Sequence, residues 1–195
     1  MNPLLNQNLF FVKEHVGMFR AANNFDILNP ETQVTDMICR EDNLGFFTKL
    51  LRFTQLKRMT PFHIEIKSHS GEKILTVKRG ISIFLSDIQV FDENDQLVGS
   101  FKQKFFSIGG KFDIFDQNEN MLCSLKGKWT SWSFDFIKDQ TIFAKVNKKW
   151  AGLGKELFTT ADNYMLSIDK SVPENAPIRL LILAAVFCID MVIKE

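Results

Sequence analysis

Ile178-Arg179-Leu180-Leu181-Ile182-Leu183-Ala184-Ala185-Val186-Phe187-Cys188-Ile189-Asp190 is the stretch on which the fold of this chain turns. From Leu180 to Ile189 every side chain is apolar, with Arg179 before the run and Asp190 behind it. Asn175 is placed to cap a helix and Pro177 to occupy its first turn, where a missing N–H costs little. A bilayer-spanning helix needs about 20 apolar residues, whereas runs of roughly 10–14 more often mark buried core helices. With a charge at each margin, this run is too short for a hydrocarbon core. It is also apolar around its whole circumference, so a helix there must be covered on every side. Leu180, Leu181, Leu183, Ala184, Val186 and Phe187, closed off by Asp190, are therefore expected in a core helix within Ile178 to Ile193.

The centre of the chain supplies a wall for such a helix. Ile74-Leu75-Thr76-Val77-Lys78, Val98-Gly99-Ser100-Phe101-Lys102, Leu122-Cys123-Ser124-Leu125-Lys126 and Phe143-Ala144-Lys145-Val146-Asn147 repeat one pattern. Polar turns precede the blocks: Ser70-Gly71-Glu72, Asp92 to Asp95, Asp116 to Asn120, and Lys138-Asp139. Strand-like runs at Ile81 to Phe91, Phe112 to Phe115 and Trp132 to Ile137 lie before the later turns. Alternation bounded by Asn, Asp and Gly signals hairpins, and its repetition predicts an antiparallel meander that closes on itself. Earlier strands are expected at Asn8 to Val12, Met18 to Arg20, Phe25 to Leu28 and Val34 to Arg40, with a turn at Asn29-Pro30-Glu31.

Composition limits the classes open to the chain. Its 195 residues suffice for a substantial core and read as one domain over residues 1–195. Twenty Phe against one Tyr means many rings without a polar handle, which suits a large core. A formal charge of +1 lacks the basic excess of a nucleic-acid binder, so no nucleic acid is expected as partner. Cys39, Cys123 and Cys188 have neither the number nor the spacing of a disulfide framework or zinc site. The polar start, Met1 to Arg20, is unlike a signal peptide, and a reducing, cytoplasmic setting is the simplest expectation.

Two features face outward. Gly45 to Arg58 has Phe46, Phe47, Leu50 and Leu51 on one helical face, with Lys49, Arg52, Lys57 and Arg58 beside it. A basic amphipathic helix of this kind either lies on an anionic membrane surface or packs on the protein's own wall. In the repeats, Lys78, Lys102, Lys104, Lys126, Lys128 and Lys149 fall two apart or at repeat-equivalent positions, opposite the apolar set. Side chains two apart on a strand share a face, so these form a stripe on the outer wall. The stripe attracts anionic lipid headgroups, or else it is a solvated face whose lysines protect strand edges.

Reactive chemistry is harder to find. His15, His63 and His69 have no metal-ligand or Cys-His spacing. Gly152-Leu153-Gly154 lacks the third glycine of a dinucleotide loop, and Gly109-Gly110-Lys111 lacks Walker spacing. No pattern here points to an enzyme, and the residues themselves require no cofactor.

Several motifs together resemble the phospholipid scramblase family and its tubby-like, LURP-one-related relatives. They are Val146-Asn147-Lys148-Lys149-Trp150-Ala151-Gly152, Lys155-Glu156-Leu157-Phe158-Thr159, Ala161-Asp162-Asn163-Tyr164, and the apolar helix ending in Ile189-Asp190. Weaker similarity runs back through Phe25 to Asn29 and Val12-Lys13. The resemblance implies a twelve-stranded closed β-barrel around a hydrophobic C-terminal helix. It also implies ATP-independent, bidirectional movement of phospholipid between leaflets, described as calcium-stimulated. In that family the same helix is alternatively described as transmembrane. The acylated cysteine clusters and Pro-rich extension of the animal members have no counterpart here.

Calcium is the one cofactor the resemblance raises, through Asp162 and Asp169, with Glu174 near them. Thr160 stands where the family's proposed calcium segment begins with an acidic residue. A calcium site needs six or more oxygens, and the alternative is that Asp162-Asn163 makes a turn and Asp169 starts a cap or loop. Two functions follow as expectations. One is a scramblase-related protein that binds or moves phospholipid, peripheral at the inner face of a membrane. The other is a soluble, non-enzymatic tubby-like binding or scaffold module. No pattern in the chain specifies an oligomeric state.

Overall fold

The computed structural model describes residues 1–15, 24–41, 48, 59–82, 85–104, 111–128, 132–148 and 163–193. Within them, twelve strands form one closed antiparallel barrel in which every strand pairs with its neighbours in sequence and the first meets the last. The strands are β1 (Leu9–Glu14), β2 (Phe25–Leu28), β3 (Thr35–Arg40), β4 (Phe62–Ser68), β5 (Lys73–Arg79) and β6 (Asp87–Asp92). They continue as β7 (Leu97–Gln103), β8 (Lys111–Asp116), β9 (Met121–Lys128), β10 (Ser133–Lys138), β11 (Thr141–Asn147) and β12 (Asn163–Ile168). One α-helix, α1 (Ile178–Cys188), follows and runs into a π-helical turn at Ile189–Ile193.

Period-two alternation dictates what points inward. Phe62, Ile64 and Ile66 on β4, Ile88 and Val90 on β6, and Phe134 and Phe136 on β10 are buried, while their intervening neighbours are not. Register carries the same parity from strand to strand: Phe112 faces Leu125, Leu125 faces Phe136, and Phe136 faces Ala144. The interior they enclose is filled by α1, whose residues from Arg179 to Cys188 are all buried. Phe25 and Phe187 meet edge to face at 5.0 Å between ring centres, one of the contacts joining wall to helix. At Gly99 a Cβ would lie 2.1 Å from the Phe115 carbonyl oxygen and 3.2 Å from the Leu181 side chain. Only glycine lets β7 and the helix approach this closely.

Turn chemistry sets the hairpins. Asp92 Oδ1 accepts the N–H groups of Asn94 and Gln96, and Asp116 Oδ1 accepts those of Asn118 and Asn120. Asp95 and Glu119 then adopt φ of 60° and 62° at equivalent positions. The repeated sequences Phe91-Asp92-Glu93-Asn94-Asp95 and Phe115-Asp116-Gln117-Asn118-Glu119 thus build the same turn twice.

Some expectations need correction. The strand read over Ile81 to Phe91 is only Asp87–Asp92, because Ser82 Oγ bonds the Leu85 carbonyl and Ser82 N–H bonds Met59 O. Local side-chain bonding competes with the ladder there, and Ile81 is left exposed. Asn175 is not the helix cap: it has φ 59°, and its N–H donates to Asn6 Oδ1. Pro177 occupies the cap position without a side-chain cap bond. Asn163 begins β12 rather than a turn. The lysines protect no strand edge, since the barrel closes. The expected strand at Met18 to Arg20, and Gly45 to Arg58 apart from a helical Thr48, lie outside the described residues.

Candidate functional site

A polar side chain at each end holds α1 in the barrel. Arg179, 1% exposed, donates from Nε to Pro173 O at 2.9 Å and from Nη1 to Leu5 O and Gln7 O, each at 3.0 Å. Its Nη2 donates to Asn8 Oδ1 at 2.9 Å and to Val172 O at 2.8 Å. The planar fork therefore ties the helix start to the N-terminal segment and to the connection after β12. That segment is a 3₁₀ turn, Pro3–Asn6, begun by Asn2 Oδ1 accepting Leu4 N–H, and it buries Leu5 beneath the helix. Burial lowers the guanidinium pKa, and the Glu174 carboxylate opposes that shift. At the far end Asp190, 2% exposed, accepts through Oδ1 a hydrogen bond of 2.5 Å from the Tyr164 hydroxyl. Leu180, Leu181, Leu183, Ala184, Val186 and Phe187 lie between these ends at 2% exposure or less. Among the described residues, no helix is long and apolar enough to cross a membrane.

The outer lysines do not make an uninterrupted positive stripe. Lys102 pairs with Glu119 and stands 4.9 Å from the centre of the Phe115 ring. Lys104 pairs with the buried Asp113. Lys145 reaches Asp135 at 3.7 Å, and Asp135 faces Lys126 across the β9–β10 ladder. Lys126 and Lys128 are exposed on β9. Carboxylates from the even-numbered strands and from the β8–β9 hairpin thus alternate with the lysines, a pattern invisible until register is known. Lys49, Arg52, Lys57, Arg58 and Lys149 lie outside the described residues, as does Asp162.

Asp169 is exposed, and its carboxylate accepts the Ser171 N–H at 2.8 Å, which lowers its pKa. Glu174 is also exposed. Among the described residues, no group of three or more His, Cys, Asp or Glu is disposed to hold a metal ion.

One site escaped the sequence. A cleft of about 500 Å³ opens at the barrel end where α1 begins. Its apolar wall includes Leu97, Val98, Leu122, Ile178 and Leu181, and its rim carries Asp92, Glu93 and Asp116. The two matching hairpins and the start of α1 build it, so the repeat held its signal. What the repeat did not show is that the two tips flank the helix start. Its volume falls within the range of small-molecule clefts.

The chain is similar in fold to a protein of Arabidopsis thaliana solved by X-ray crystallography, at TM-score 0.55 and 15% identity, over 97% of this chain and 95% of that one. Its likeness is one of fold, and the fold is the tubby-like closed barrel with a C-terminal helix. A phospholipid scramblase family protein of Schizosaccharomyces pombe is 24% identical over 192 residues, 90% of this chain. The chain spans about half the length of that curated relative, 50%. The Scramblase family profile matches residues 4–195. With the profile matched almost end to end and the barrel closed around its terminal helix, the chain belongs to the Scramblase family.

Proposed function

We propose that this protein handles phospholipid at a membrane surface as an intact barrel, peripheral to the bilayer, with α1 remaining in the core. Family membership supports a scramblase-related role in general. The observation that carries the mechanistic part is the enclosure of α1 with Arg179 and Asp190 both bonded inside. Each buried Leu, Ile, Val or Phe contributes about 1.5–3 kcal/mol. Withdrawing Leu180 to Ile189, even into lipid that covers the helix itself, uncovers the Phe, Ile and Val side chains of the wall that packed on it, at a cost on the order of 10 kcal/mol and comparable with the whole stability of a domain. Lipid must then be met by the outer wall or by the barrel ends. Calcium, if it acts, is proposed to do so through weak contacts involving Asp162 and Asp169. No residue role in lipid movement follows for Lys49, Arg52, Lys57, Arg58, Lys126 or Lys128 beyond adding positive charge near anionic headgroups.

The experiment is a pair of measurements on purified protein with vesicles of mixed zwitterionic and anionic phospholipid. A fluorescent-lipid flip assay reads movement, and hydrogen exchange reads α1. The expected result is vesicle association at physiological salt with α1 amides as protected as in the free protein. Loss of α1 protection on association, or no association and no flip, would overturn the proposal. Tight soluble behaviour without vesicle binding would instead favour a binding-module role, which the alternation of lysines with carboxylates supports.

A further inference from the structure

We propose that the cleft between the β6–β7 and β8–β9 hairpins binds one hydrocarbon chain bearing a cationic ammonium head. This goes beyond the reading above, because such a site can exist in a protein that moves no lipid. The cavity of about 500 Å³ falls in the range of small-molecule sites, and its walls are dominated by aliphatic side chains. Leu97, Val98, Leu122 and Ile178 are only partly buried, so they present apolar surface to the opening. A chain laid against them removes that surface from water.

Charge selects the head. Asp92, Glu93 and Asp116 stand at the rim, and among the described residues no Lys or Arg lines the cleft. The Glu93 side chain is 34% exposed, so its carboxylate is open to a cation from solvent. Opposite charges in contact favour each other even in water, while a sulfate or free carboxylate head meets like charge. Nor is the rim free to rearrange. Asp92 Oδ1 and Asp116 Oδ1 each accept two backbone N–H groups of their own turn, which fixes both carboxylates in direction.

The test uses decyltrimethylammonium and decyl sulfate, below their micelle concentrations, titrated calorimetrically into the full chain. Decyltrimethylammonium is expected to saturate one site, with decyl sulfate roughly tenfold weaker or more. Asp92→Asn and Asp116→Asn keep the oxygen that accepts the backbone N–H groups of each turn, while Asp116→Asn gives up the Asn120 side-chain bond to Oδ2, so circular dichroism and thermal melts of each variant check that the fold persists. Combined with Glu93→Gln, they are expected to bring the two probes within about twofold of each other. Leu122→Trp, which fills the cleft, is expected to weaken both by about tenfold. Equal binding of the two heads by the wild-type chain overturns the proposal. So does an unchanged preference in the neutralised variant, or non-saturable uptake. Vesicle association measured on the same samples separates the two proposals: its absence beside one-to-one amphiphile binding defeats the membrane reading alone.

Discussion

Arg179→Met tests the core assignment of the terminal helix most directly. The side chain is 1% exposed and donates five hydrogen bonds of 2.8–3.0 Å, four to carbonyl oxygens and one to the Asn8 amide. Hydrogen bonds from a charged group are worth about 1.5–3 kcal/mol each, but they share one side chain and are not additive. Removing the donor leaves five acceptors short of a partner in a space the Met side chain largely fills. Breaking a buried charged arrangement typically costs about 3–5 kcal/mol, which is the expected loss here. Arg179→Lys offers three donors without the fork and should lose about 2 kcal/mol. Urea unfolding followed by circular dichroism measures both. A spanning helix predicts the reverse sign, because Arg179→Met with Asp190→Leu lengthens the apolar run and improves insertion. A loss under about 1 kcal/mol, or stronger vesicle partition by a fully stable double variant, refutes the core assignment.

Other consequences are simpler to read. Burial by itself would raise the Asp26 pKa, but hydrogen bonds from Arg40 and His15 outweigh it and the net shift is downward. A lowered folded pKa stabilises above the ordinary value of 3.8 and the gain disappears as pH falls below it. Asp26→Asn should therefore cost about 0.5–1 kcal/mol at pH 7 after solvent screening, with the difference shrinking in urea titrations as pH falls below 3.8 and through the lowered folded pKa. Burial pushes the Cys123 thiol up to about 12 and raises Cys39 and Cys188 as well. All three should resist a thiol-specific disulfide reagent at pH 8 in the native state and react together in denaturant; rapid native labelling would contradict their burial. Gly99→Ala should destabilise by about 1–3 kcal/mol in thermal melts, because its Cβ meets both the Phe115 carbonyl and the helix.

How far these features could be read in advance depended on how local their causes are. The central hairpins and α1 are encoded within a few residues: Asp92 and Asp116 fix their own turns, and the apolar run announces its own burial. Strand β4 carried the same period-two signal in Phe62-His63-Ile64-Glu65-Ile66 but lay outside the repeat that drew attention. Ser82 keeps the residues before Asp87 out of β6 through hydroxyl bonding that hydropathy does not register. The Arg179 clamp was not legible at all, since Leu5 is 174 positions away. The same holds for the lysines, whose alternation with Asp113, Glu119 and Asp135 exists only once register is set. The cleft joins both limits: each hairpin was legible, their meeting over the helix start was not.

Hydropathy scores an apolar helix alike whether lipid or protein surrounds it, so Leu180 to Ile189 is ambiguous by that measure. Its flanking charges are not. A helix crossing a bilayer sends its terminal charges to the interface, where water and headgroups receive them. Here Arg179 is received by carbonyls of Leu5, Gln7, Val172 and Pro173, and Asp190 by the Tyr164 hydroxyl on β12. Those partners belong to elements that exist in this arrangement only because the barrel has closed, with β1 paired to β12 beside both of them. Any route that places α1 in lipid must first break the clamp and then leave a ring of Phe, Ile and Val side chains lining an empty barrel. The barrel and its helix therefore stand or fall as one cooperative unit.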